Sequence, residues 1–276
     1  MLAKGDGRGE SRLWEVTIAT YGRRGTVRSD VFLNHHLYGE PDGPIGMDYF
    51  VWVLRSGQET IVVDTGFSPD GGATRGREML MSPRCLFDSL QVDPSSGPTV
   101  VVTHAHYDHI GNLGMFSRSP VVLARRELEF WTGPLRDKPL FSHSVDQADL
   151  AELARVVRED RAILFDDRYR LAPGVELIEV GGHTPGQAMV LVDTADGGVL
   201  LASDAMHYYE ELAREMPFTS VVDLGGMYSA FARIKELQAS GAVRHVVSGH
   251  DPETLRRLVP GIAPDQTMAT IGGRTP

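Results

Sequence analysis

Apolar and polar positions alternate along much of this chain, and the alternation predicts its elements. Leu13-Trp14-Glu15-Val16-Thr17-Ile18 has a period of two and predicts a strand after a disordered lead over residues 1–11. A loop rich in Gly, Pro and His follows over 34–48. Tyr49 to Leu54 and Thr60 to Asp64 predict a hairpin around Ser56-Gly57-Gln58. Ala73 to Gln91 predicts a helix broken near Pro83. Short apolar runs at Val100 to Thr103 and Pro120 to Ala124 predict buried strands, the second leading into a helix over Arg125 to Thr132. Residues 133–160 are charged and partly helical, as expected of an insertion. Val175 to Val180, Ala188 to Asp193 and Val199 to Ser203 predict three more strands, separated by turn signals at Gly181-Gly182 and Asp196-Gly197-Gly198. Met227, Phe231, Ile234 and Leu237 recur at helical spacing. A final strand over Val243 to Ser248, a short helix over Pro252 to Leu258 and a tail from Pro260 complete the pattern.

There is no fixed-period repeat and no linker dividing two cores. The reading is one α/β domain over 12–276, sheets flanked by helices. A chain of 276 residues buries a full core. Its net charge of −10 disfavours a phosphate-backbone partner, so no nucleic acid is expected. Cys85 is the single cysteine, which excludes an internal disulfide and a Cys-rich zinc site; it reads as a buried filler. The N-terminus has no apolar h-region, and no run of 18 apolar residues exists, so the expectation is a cytoplasmic protein with no membrane partner.

The chemistry concentrates at strand ends. Thr103-His104-Ala105-His106-Tyr107-Asp108-His109 carries three imidazoles and a carboxylate directly after a predicted strand. In extended chain His104 and His106 point to one side. Imidazole with carboxylate suits zinc, with iron or manganese as alternatives. His183, Asp204, His250 and Asp64 also follow apolar strands. One such ending is uninformative, but five are not easily explained by chance. No G-x-S-x-G elbow supports a serine nucleophile.

The order of these motifs resembles the metallo-β-lactamase superfamily, over residues 49 to 251. The resemblance implies an αββα sandwich and two Zn2+ ions. His104, His106 and His183 would hold the first, Asp108, His109 and His250 the second, and Asp204 would bridge them. Asp64 would orient a ligand loop from behind. Two ions about 3.5–4 Å apart can share a hydroxide that attacks a carbonyl. Asp108 would orient that hydroxide and pass a proton to the leaving group.

Within the superfamily the chain is similar to the N-acyl homoserine lactonase-like branch, through Ser203-Asp204-Ala205, Met216-Pro217-Phe218, Ser248-Gly249-His250-Asp251 and the entry strand Gly46 to Trp52. This implies a quorum-quenching type of activity, opening the ester of a small-molecule lactone. Those lactonases usually carry a Tyr three residues after the bridging Asp, where this chain has His207, followed by Tyr208. The resemblance therefore implies His207 or Tyr208 as hydrogen-bond donor to the substrate carbonyl. It also brings in other lactones, including a bicyclic one of the 4-pyridoxolactone kind. His35 and His36, in the loop before the hairpin, are candidate substrate contacts. A glyoxalase II-like thioester hydrolase is an alternative, weakened because only 26 residues follow His250. A non-catalytic binding module that retains its metals is another.

Overall fold

A computed structural model describes residues 12–263 and 265–273; the lead over 1–11 lies outside them. Among the described residues the chain forms thirteen strands in two sheets. In chain order the first seven are β1 (Glu15–Val27), β2 (Pro44–Ser56), β3 (Glu59–Val63), β4 (Glu78–Met79), β5 (Thr99–Val101), β6 (Val121–Ala124) and β7 (Ala162–Phe165). These make the first sheet together with β13 (Met268–Ile271), in the order β13-β1-β2-β3-β5-β6-β7, with β4 paired to β1. The second sheet runs β12 (His245–Ser248), β11 (Gly197–Ser203), β10 (Ala188–Thr194), β9 (Val175–Glu179), β8 (Arg168–Ala172).

The period-two pattern decides how the sheets stack. Val16, Ile18, Trp52, Leu54, Ile61 and Val63 turn to one face of the first sheet. There they meet Val175, Leu177, Val190, Val199 and Leu201 from the second. The alternate residues Val51, Val53 and Val62 face the other way, under the helices Pro83–Ser89 and Gln147–Arg158. The outer face of the second sheet, with Met189 and Leu200, is covered by Ala230, Ile234 and Leu237 of helix Leu224–Ala239. Four layers result, helix-sheet-sheet-helix, as the αββα reading requires.

Three expectations change. The helix expected from Ala73 to Gln91 is two helices, Pro69–Thr74 and Pro83–Ser89, with β4 between them. Gly76, at φ 65°, turns the chain out of the first helix, and Glu78 and Met79 then pair with Arg23 and Gly22. The tail contains β13, which closes the edge of β1 from Val16 to Ala19. Cys85 is exposed: Leu86 and Phe87 take the inward face of their helix, so their neighbour points out. No helix is long and apolar enough to cross a membrane, among the described residues.

Candidate metal centre

Both sheets deliver residues to one edge of the sandwich. β5 ends directly before Thr103, His104 and His106, and Asp108 and His109 lie in the single helical turn Tyr107–Ile110 that follows. His183 lies in the loop after β9, Asp204 follows β11, and His250 follows β12. All seven side chains are buried, none exposed by more than 8%.

Asp204 sits at the centre, and its two oxygens face different partners. Oδ2 lies 3.3 Å from His183 Nε2 and 3.7 Å from His104 Nε2. Oδ1 lies 3.1 Å from His250 Nε2 and 3.4 Å from His109 Nε2. Two three-residue groups have converging ligand atoms on either side: His104, His106, His183 and Asp108, His109, His250. The structure thus brings together all seven residues singled out from the sequence.

The surroundings aim the rings. His109 Nδ1 is 2.7 Å from Asp64 Oδ2, His183 Nδ1 is 2.7 Å from the Ser220 carbonyl, and His250 Nδ1 is 2.8 Å from the Asp48 carbonyl. Each acceptor holds Nδ1 of its ring and so turns Nε2 toward Asp204. Asp64 also accepts from Thr103 N and Thr103 Oγ1, both at 2.8 Å, so one carboxylate ties the strand end to His109. Asp64 adopts φ 60° and Ser203 φ 47° at the ends of their strands. Left-handed non-glycine backbone costs about 1–3 kcal/mol and persists where the surroundings over-determine it, commonly at functional sites. Gly249 lets the end of β12 approach: a Cβ there would lie 2.7 Å from Asp204 Oδ1.

Glu127, which no motif flags, clamps the loops that carry these residues. It is fully buried in the helix Arg125–Thr132. Oε1 accepts from Ala105 N at 2.8 Å and Trp131 Nε1 at 2.7 Å; Oε2 accepts from Thr184 Oγ1 at 2.6 Å and Gly186 N at 3.1 Å. It therefore joins the segment between His104 and His106 to the segment that follows His183.

Electrostatics follow from burial. Desolvation holds His104 and His106 well below the usual imidazole range, and His183 down to about 3, so these rings are neutral. Burial alone would raise Asp204, but His250, His207, His109 and His104 outweigh it and keep the carboxylate ionised. Nε2 of His104, His109 and His250 and Oδ1 of Asp204 are buried with no hydrogen-bond partner among the described residues. An unmatched buried polar atom costs roughly 1–3 kcal/mol, and here several point at one space. Burial works against a charged His109, but Asp204, Asp64 and Asp108 outweigh it and raise the pKa of that ring well above the usual range. Three neutral rings, a concentration of carboxylate charge and unmatched buried polar atoms at one space fit divalent cations.

His207 and Tyr208 do not stand where a donor to substrate would. The His207 ring is fully buried, stacked at 3.8 Å on Phe218, with Nε2 3.0 Å from Asp204 Oδ2 and Nδ1 3.4 Å from Glu211 Oε1. Burial works against its charged form, but Asp204 and Glu211 outweigh that and push its pKa up to about 9. The Tyr208 hydroxyl donates to the Gly46 carbonyl at 3.0 Å. His35 is buried against Phe32 and His36 is exposed; neither lines the cavity.

That cavity, about 420 Å3, opens over Asp108, His106, His183, Asp204 and His250. Its walls are Met47, Tyr49, Tyr107, Phe218 and His143, with Arg24, Arg75 and Arg77. Tyr107, Met47, Tyr49 and Phe218 lie in the motifs described above, whereas His143, Arg24, Arg75 and Arg77 come from segments distant in sequence that no motif flags.

Comparison with known proteins agrees with this architecture. The sequence pattern of the Metallo-beta-lactamase superfamily matches residues 46–250. An N-acyl homoserine lactonase of a Bacillus species is 30% identical over 76% of this chain and 84% of its own length. The N-acyl homoserine lactonase AiiB of Rhizobium rhizogenes is 28% identical over 75% of this chain and 81% of its own. Among solved structures, a quorum-quenching N-acyl homoserine lactone lactonase superposes with a TM-score of 0.72 at 21% identity, covering 87% of this chain and 93% of that one. AidC, a dizinc quorum-quenching lactonase, superposes with a TM-score of 0.68 at 16% identity, covering 96% of each chain. These last two likenesses are of fold.

Proposed function

The chain belongs to the metallo-beta-lactamase superfamily, and from that premise we propose that it is a di-metal hydrolase that opens the ester bond of a lactone. The observation that carries the reading is the division of Asp204: one oxygen faces His104 and His183, the other His109 and His250, and Nε2 of His104, His109 and His250 has no hydrogen-bond partner among the described residues. His104, His106 and His183 would hold one ion, Asp108, His109 and His250 the other, and Asp204 both. The all-N/O donor set suits zinc, with iron or manganese as alternatives. Divalent ions there supply Lewis-acid polarisation of a carbonyl and acidification of water.

The chain's own groups do the rest. Asp108 lines the cavity, with Oδ1 3.9 Å from His109 Nε2 and Oδ2 3.8 Å from His250 Nε2. Its carboxylate is placed to take a proton from the attacking water and return it to the ring oxygen as the ester C–O bond breaks. His207, wedged between Asp204 and Glu211, orients Asp204 rather than touching substrate. Met47, Tyr49 and Phe218 give an apolar wall against which a small ring can lie. Relatives named as N-acyl homoserine lactonases support a lactone over other esters.

The test is hydrolysis of a panel on zinc-loaded protein: acyl-homoserine lactones, a bicyclic lactone, a glutathione thioester and a β-lactam. Lactones are expected to turn over fastest, and Asp108→Asn or His106→Ala to cost on the order of a hundredfold or more. Much faster turnover of the thioester would move the assignment to a glyoxalase II-like enzyme. No turnover of any ester by protein carrying its metals would leave a binding module.

A further inference from the structure

Three arginines stand in the cavity wall, and they differ in how far their neighbours engage them. Arg24, Arg75 and Arg77 all line the space that contains Asp108, His183 and Asp204. Arg75 is satisfied: Nη2 lies 2.9 Å from Asp146 Oδ1, and the rest of its fork reaches the carbonyls of Gly71, His143 and Val145. Arg24 and Arg77 are different. Neither has a carboxylate within ion-pair distance among the described residues.

Arg77 is fixed by neutral acceptors. Nε donates to the Tyr107 hydroxyl at 2.9 Å and Nη1 to the Arg75 carbonyl at 2.8 Å, while the guanidinium lies 6.0 Å from the centre of the Tyr49 ring. These contacts orient the fork without discharging it, and Nη2 has no acceptor among the described residues. Among the described residues Arg24 has a buried Nε with no hydrogen-bond partner, and its one side-chain bond is a long 3.4 Å contact from Nη2 to Thr26 Oγ1. Asp30 also lines the cavity, but it accepts from Thr26 Oγ1 at 3.2 Å and pairs with neither arginine.

The chain holds 37 acidic residues against 27 Lys and Arg. Arg28, partly buried like Arg24 and Arg77, pairs with Glu210 at 2.7 Å, and Arg161 with Glu159 at 2.9 Å. Two guanidinium groups without a carboxylate partner at one cavity, one of them with a buried unmatched Nε, mark a place for an incoming acceptor. A planar fork with two free donor directions matches a carboxylate bidentately.

We propose that the cavity selects a lactone bearing a carboxylate, with Arg77 and Arg24 receiving that carboxylate while the ester lies over the Asp204 cluster. The proposal rests on the lactonase reading and adds the substrate class. A lactone extended only by an uncharged alkyl chain would leave both arginines unmatched at the cost of their solvation.

The experiment pairs γ-lactones carrying a carboxylate, directly or on a short alkyl tether, with the matching carboxamides. On zinc-loaded wild type, at least one carboxylate is expected to exceed its carboxamide by about tenfold or more in kcat/KM, mostly through KM, as one charge-assisted hydrogen bond would give. Arg77→Gln and Arg24→Gln should each shrink that ratio, and the double variant should bring it near unity. Arg77→Lys, which keeps the charge and loses the fork, should retain part of it. Calorimetric binding of the corresponding γ-lactam carboxylate, which the enzyme does not open, gives a readout apart from turnover. It should weaken about tenfold in Arg77→Gln. If wild type opens both lactones with a ratio near unity and the lactam binds Arg77→Gln as it binds wild type, the selection is overturned and the lactonase reading stands. If neither lactone is opened, the lactonase reading fails, and the lactam titration alone decides whether the arginines bind a carboxylate.

Discussion

Replacing Glu127 by Gln tests whether one buried carboxylate holds the ligand loops together. Each of its oxygens accepts two hydrogen bonds, from Ala105 N and Trp131 Nε1 on one side and from Thr184 Oγ1 and Gly186 N on the other. An amide keeps one of those oxygens. Whichever way it is flipped, its NH2 group faces two donors. Two hydrogen bonds are lost, and two buried donors are left facing another donor, at about 1–3 kcal/mol each. Part is returned, because Gln carries no charge to desolvate, and burial is the largest influence on Glu127, pushing its pKa up. A net loss of about 3 kcal/mol remains, or roughly 5–10 °C in Tm for a protein of this size. Thermal unfolding of metal-free protein reads this without a contribution from bound ions. Competition with a chromophoric chelator then reads zinc affinity, expected to fall about 10–100-fold because His104, His106 and His183 lose their common anchor. If Glu127→Gln melts with wild type and binds zinc equally well, the clamp argument is wrong.

Three further outcomes follow from the same geometry. Asp64→Asn should weaken zinc binding by about 10–100-fold, since its NH2 group must face either Thr103 N or the pair Thr103 Oγ1 and His109 Nδ1; unchanged affinity in the chelator assay would contradict this. Gly249→Ala should push Asp204 aside, costing about 1–3 kcal/mol in unfolding experiments and lowering metal stoichiometry; an alanine variant with full metal content would show that the loop yields. Asp149 is raised by burial, and further by Asp146, from its ordinary 3.8 to about 7. The folded protein therefore keeps this proton to higher pH than the unfolded chain does, and the associated stability, complete below about 3.8, is lost as pH rises through about 7. Melting curves between pH 5 and pH 8 should fall less for Asp149→Asn than for wild type, and parallel curves would refute the assignment.

The seven clustered residues were legible because each is a chemically distinctive side chain at or just past the end of a plainly apolar strand, and a period of two fixed which strand faces meet. Glu127 was not legible: an acidic residue in the first turn of a helix reads as a response to the helix dipole. Only the folded chain shows four donors converging on it. Arg24 and Arg77 lie on β1 and just before β4, and only the pairing of those strands brings them to the cavity. His207 was legible as a residue near Asp204, but its direction was not. The turn after Asp204 sends the ring beneath that carboxylate and behind Phe218, instead of into the cavity. β13 was hidden because a four-residue strand in a polar tail is defined by its partner, the open edge of β1.

The central claim is that the Asp204 cluster holds two ions and that lactone opening depends on them. The most direct measurement is lactone turnover as metal-stripped protein is titrated with zinc, with elemental analysis at each point. Turnover is expected to be negligible without metal and to level off at about two ions per chain. Full turnover by the stripped protein, or less than about half an ion per chain after zinc-supplemented expression, would contradict it.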